Sequence, residues 1–126
     1  MDIRINIDRL KEGIESLSKI GRDSQGGMSR PSFSKADLEA REWLKEKIKS
    51  AGLFLREDGA GNIFGGIEGE GKTIMAGSHL DTVINGGMFD GSAGVLSALE
   101  CLQTIKEIGL RLSKPLEVAS FTDEEG

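Results

Sequence analysis

The hydrophobic period of the chain changes three times. Ile7, Leu10, Ile14 and Leu17 recur at three- and four-residue steps, and the run closes at Ile20-Gly21. That spacing sets an apolar stripe along an amphipathic helix, and the glycine predicts its stop. A polar loop, "RDSQGGMSRPSF", follows and is long enough to lie over another surface. Ser34 with Asp37 three positions on reads as an N-cap with an acid in the first turn. Leu44, Ile48 and Ala51 then mark one face of a second helix that ends at Gly52, with Trp43 expected to pack at its edge. Beyond Gly52 the period shortens. "LFLRED", "NIFGGI" and "TIMAGSHL" are short apolar or alternating runs divided by "GAG" and "EGEGK", which predicts three strands and tight turns. The helical period returns over 92–108, where Val95, Leu99, Leu102 and Ile105 share a stripe and Gly109 marks the stop. "KPLEVASFT" is a final β-branched and apolar run, and it predicts a buried strand.

Strand, helix and strand over residues 72–122 predict a βαβ unit with parallel strands and a right-handed crossover. The fold class is therefore α/β, with two leading helices layered on a sheet. "GAGNIFGG" has the wrong spacing for a dinucleotide-binding turn and leads into a strand instead of a helix.

Composition narrows the function classes. The chain has 126 residues, 37% hydrophobic and 29% charged, as expected of a soluble globular unit of one domain or part of one. Its eighteen glycines cluster between apolar runs and mark turns, not low complexity. Sixteen basic against twenty-one acidic side chains give a formal net charge of −5, which argues against nucleic acid as a partner. No apolar run approaches the roughly 18 residues of a membrane span, and the N-terminus lacks the apolar core of a secretory signal. A single cysteine rules out an intrachain disulfide and fits a cytoplasmic location. That residue, Cys101, reads as a small buried filler of the third helix.

The candidate chemistry sits at the two strand ends. Parallel strands open their carboxyl ends on one edge, which is where open α/β sheets place ligands. His79, the only histidine, and Asp81 lie at the end of the first strand, and Asp90 lies just before the helix. Asp123, Glu124 and Glu125 lie at the end of the second. Neither turn offers a lysine or arginine to relieve the repulsion between these carboxylates, and a divalent cation relieves it most directly. One nitrogen with carboxylate oxygens suits zinc, manganese or their relatives. Asp81 is placed either to join them or to hold the second ring nitrogen of His79.

At these residues the sequence resembles a known family. "GSHLDTVINGGMFDG" with "FTDEEG", extended backward through "GGMSRPSFSKADLEAREWLKEKIKSAGL" and "DGAGNIFG", is similar to the amidase, hydantoinase and carbamoylase branch of the M20 metallohydrolases. That branch includes N-carbamoyl-L-amino-acid hydrolases and allantoate amidohydrolases. The resemblance implies a partial three-layer αβα zinc-hydrolase-like catalytic domain, of which residues 1–126 form the amino-terminal part. The remaining catalytic segment, further histidine ligands and a lid and dimerisation domain are expected outside it. It also implies two divalent ions, zinc or manganese, with His79 a ligand of one, Asp90 shared by both and Glu125 a ligand of the second. Glu124 would be the general base and Asp81 the partner of His79. In such enzymes an activated water gives its proton to the glutamate and attacks an amide or ureido carbonyl, and the glutamate returns the proton to the leaving nitrogen. Relatives often carry a cis peptide after the shared aspartate, here Asp90–Gly91.

Three expectations follow for this segment taken alone. It should be inactive, it should bind metal weakly or not at all, and its uncovered sheet edges should favour self-association. Two other functions compete. One is a peptidase or deacylase of the wider M20 group, although those usually read H-x-D-x-V-P before the shared aspartate. The other is a non-catalytic assembly module, against which the intact Glu124-Glu125 pair argues.

Overall fold

A computed structural model describes residues 1–126, and its elements follow the sequence punctuation closely. Helix α1 (Ile7–Leu17) is capped by the Asn6 side chain, which accepts from Arg9 N. It stops three residues before Ile20, and the chain leaves it through a turn in which Gly21 adopts φ +82°. Helix α2 (Lys35–Ser50) starts at Ser34, whose hydroxyl accepts from Asp37 N at 3.2 Å. The Asp37 carboxylate reaches back to Phe33 N at 2.9 Å, so the two side chains satisfy one donor of the first turn and one just before the cap. Strands β1 (Phe54–Glu57), β2 (Ile63–Ile67) and β3 (Ile74–His79) precede helix α3 (Ser92–Glu107), and β4 (Leu116–Phe121) closes the order. No helix is long and apolar enough to cross a membrane.

The four strands form one sheet in the order β1-β2-β4-β3. The first two pairings are antiparallel and β3 with β4 is parallel, which is the expected βαβ unit. Ile63, Gly65 and Ile67 share a face with Leu116 and Val118 of the neighbouring strand. Against that face pack Leu44 and Ile48 of α2, Val95, Leu99 and Leu102 of α3, and Leu17 of α1, all buried. The approach is closest at Gly65, where an added Cβ would sit 2.5 Å from Ile48 Cγ2, so α2 rests on the bare backbone of β2. Trp43 packs half-buried at the rim of this core, as expected, with the Lys47 ammonium 5.4 Å from its ring centre.

All three helices therefore lie on one side, and two layers of the expected three are present. On the opposite face Arg56 stacks 3.7 Å over the Phe64 ring and pairs with Glu117 at 2.8 Å. Phe121 meets Phe64 edge-on at 6.4 Å. Strand β3 is an edge, and it exposes Ile74 and Met75.

Cys101 corrects the sequence reading, because it is exposed. Residues 95, 98, 99 and 102 turn toward the core, and residue 101 falls on the far side of that stripe. The polar loop after α1 does lie over another surface. Met28 and Gly86 exchange two backbone hydrogen bonds of 2.9 and 2.8 Å, and Thr82 N donates to Arg30 O at 2.9 Å. This short antiparallel clasp holds the loop that follows β3.

Candidate metal centre

His79 is the last residue of β3 and pairs in register with Phe121, the last of β4, so both strands release their chains at one edge. The buried imidazole is held from behind. Its Nδ1 lies 2.8 Å from the main-chain oxygen of Asp81, an acceptor, so Nδ1 carries the proton. The Asp81 carboxylate stands farther off, at 3.5 Å, and has other work. It accepts from Glu125 N at 3.0 Å and Glu124 N at 3.4 Å, tying the end of β4 to the end of β3. Asp81 is thus a neighbour of the ring, as the sequence suggested, but the tether is its carbonyl.

With Nδ1 protonated, Nε2 presents a lone pair, and only acceptors face it. Glu124 Oε2 lies 3.4 Å away, Asp90 Oδ1 3.7 Å and Glu125 Oε1 3.9 Å. The candidate residues converge. Donor atoms of His79, Glu124 and Glu125 all lie within 4.8 Å of one another. Asp90 sits on the exposed loop before α3, with 65% of its side chain in solvent against 23% for Glu125. The crowding marks Glu125, whose carboxyl is pushed above its ordinary value. Loss of water is the first cause, followed by the charge and hydrogen bond of Asp90 and by Glu124, and His79 opposes the shift.

The loop between Asp90 and α3 is a tight γ-turn. Ser92 N donates to Asp90 O at 2.8 Å across Gly91, whose φ of +70° and ψ of −52° fit the rare, strained form. The chain has no cis peptide, so Asp90–Gly91 is trans, against the expectation drawn from relatives. The γ-turn supplies the sharp reversal instead. Glycine is required there for a second reason. A Cβ would lie 2.6 Å from both Nδ1 and Cε1 of His79, inside the ring's van der Waals surface.

The donor set fits a divalent cation. An imidazole lone pair and three carboxylates are what borderline and hard cations take, and no lysine or arginine side chain pairs with those carboxylates. Sequence reasoning missed Arg30, Thr82 and Ser92, which support the two loops from within. Thr82 Oγ1 accepts from Arg30 N at 2.8 Å, and Arg30 donates to Ser92 Oγ at 3.0 Å. Their only signal in the sequence was polarity, with Ser92 next to Gly91 and Arg30 next to Pro31.

The chain belongs to peptidase family M28, whose profile matches residues 62–126. Its relatives make the particular likeness plain. An N-carbamoyl-L-amino acid amidohydrolase of Geobacillus stearothermophilus is 42% identical over 122 residues, covering 94% of this chain and 30% of the relative. An allantoate amidohydrolase of Bacillus subtilis (strain 168) is 40% identical over 116 residues, 90% of this chain and 28% of the relative. Among solved structures, a hydantoinase/carbamoylase family amidase from Burkholderia ambifaria superposes with a TM-score of 0.95 at 35% identity, over 98% of this chain and 31% of that one. The resemblance to the carbamoylase branch is borne out, although the matching profile is that of M28, not M20. The chain spans about 30% of the length of the relatives it matches.

Proposed function

We propose that the full-length protein is a metal-dependent amidohydrolase of linear amide or ureido C–N bonds, such as those of N-carbamoyl-L-amino acids or allantoate. The observation that carries this reading is the acceptor-only ring around His79 Nε2, on a scaffold whose named relatives are amidohydrolases. His79, Asp90 and Glu125 would hold a pair of zinc or manganese ions. Bound there, the cations would polarise the substrate carbonyl and make water acidic enough to attack near neutral pH. Glu124, 57% exposed and 3.4 Å from Nε2, reaches both the cluster and open solvent. It is suited to take a proton from the attacking water and return it to the leaving nitrogen. Asp81 fixes the ring through its carbonyl and the β4 end through its carboxylate. Such a protein would act in the cytoplasm, as a homodimer.

The test is an assay of the full-length protein on N-carbamoyl amino acids and allantoate, with and without chelator. Activity should vanish on chelation and return with zinc or manganese, and Glu124→Gln should lower kcat by roughly 10²–10⁴-fold while metal still binds. Hydrolysis that ignores the chelator would refute the reading. The M28 match favours peptide bonds as a second reading, and turnover of dipeptides in preference to ureido substrates would select it.

A further inference from the structure

Behind the cluster lies an arginine with no solvent exposure, Arg30, none of whose nitrogens reaches a carboxylate oxygen. Nη1 donates to the carbonyls of Leu17 and Ile20 at 3.1 and 2.8 Å and touches Met28 Sδ at 3.6 Å. Leu17 is the last residue of α1 and Ile20 lies in the turn just beyond it, so the guanidinium sits at the C-terminal end of the helix, where the dipole is negative. The remaining arms point to the candidate centre. Nε donates to Leu80 O at 3.0 Å, the carbonyl between His79 and Asp81. Nη2 donates to Ser92 Oγ at 3.0 Å, the residue that closes the γ-turn, two past Asp90.

A guanidinium is planar and its donors diverge at fixed angles, whereas an ammonium is a point charge on a flexible stem. One rigid group therefore spans the arm carrying His79 and the arm carrying Asp90, and is itself bolted to the end of a helix. We infer that Arg30 is a positioning residue: by joining the Leu80 carbonyl to the Ser92 hydroxyl it sets the separation between His79 and Asp90. The inference rests on the metal reading of that cluster. Burying a cation without a paired carboxylate is costly, and packing alone would be served as well by an apolar side chain. Here the cost accompanies a link between two loops that converge on the same imidazole.

Zinc competition titrations and steady-state kinetics on the full-length protein test it, using Arg30→Lys, Ser92→Ala, the double variant and Ile48→Ala. Ile48 is buried in the core on α2, over Gly65 of β2, and makes no hydrogen bond to either arm through its apolar side chain. Arg30→Lys and Ser92→Ala should each weaken zinc by on the order of tenfold and lower kcat with KM little changed. The double variant should lose no more than the worse single one, because both cut the same link. Ile48→Ala should lose thermal stability and keep its zinc affinity. Ser92→Ala carries the test by itself if Arg30→Lys does not fold. Variants that bind zinc as tightly as a zinc-binding parent would overturn the inference alone, as would zinc losses that follow melting temperature across all four. A parent that binds no zinc would overturn the metal reading beneath it.

Discussion

Gly91→Ala puts the sharpest strain on the candidate centre. Two costs add. A non-glycine residue held at φ +70° and ψ −52° pays about 1–3 kcal/mol for its backbone. The new methyl would lie 2.6 Å from Nδ1 and Cε1 of His79, where carbon contacts settle at about 3.5–4.0 Å, so the ring must give way by roughly 1 Å. Together these should cost about 3 kcal/mol, or roughly 10 °C in melting temperature for a chain of this size. The displaced ring also loses its 2.8 Å hold on the Asp81 carbonyl, so zinc affinity should fall by at least about tenfold. Thermal unfolding with and without zinc reads both effects, because binding raises the midpoint in proportion to the logarithm of [Zn]/Kd. A variant that melts within about 2 °C of the parent and binds zinc equally well would refute the steric argument.

Two further predictions concern the scaffold. Glu100, buried on α3, accepts from Arg9 at 2.7 and 2.9 Å, from Asn6 N at 2.7 Å and from the Thr104 hydroxyl at 2.9 Å, so Glu100→Gln should cost about 2 kcal/mol in urea unfolding at neutral pH. Burial alone would raise the Glu100 pKa, but the Arg9 guanidinium, Asn6 N–H and Thr104 hydroxyl together hold it below the ordinary value. Its ionised form is therefore favoured by folding, the stabilisation is fully present above the unfolded pKa, and the gap between parent and variant should close as pH falls below about 4. A gap that widened in acid would contradict this. Ile48→Ala opens a cavity over Gly65 and should cost about 3–4 kcal/mol, read by the same unfolding assay.

What could be read from sequence was local. Ser34 and Asp37 mark a helix start by hydrogen bonds three residues apart, and Gly52 and Gly109 mark stops by φ values of +72° and +68°. Both signals lie within one turn. The convergence of His79, Asp90 and Glu125 on one edge was also legible, because a parallel βαβ unit forces its strand ends together. Arg30 was not. In sequence it is a polar residue in a polar loop, and it is buried only because carbonyls 10, 13 and 50 residues away converge on it. Glu100 likewise owes its burial to Arg9, 91 residues distant. Cys101 was misread for a simpler reason: apolar neighbours on a helix do not say which side of the stripe a residue takes.

Because the hold on the imidazole comes from a peptide oxygen, every codon at position 81 specifies the same tether. Replacing Asp81 would loosen the join between the two strand ends and leave the proton of the ring where it is. The direction in which the ring offers its lone pair thus stays with the main chain, and what the side chain at 81 decides is how firmly Glu124 and Glu125 are held opposite it.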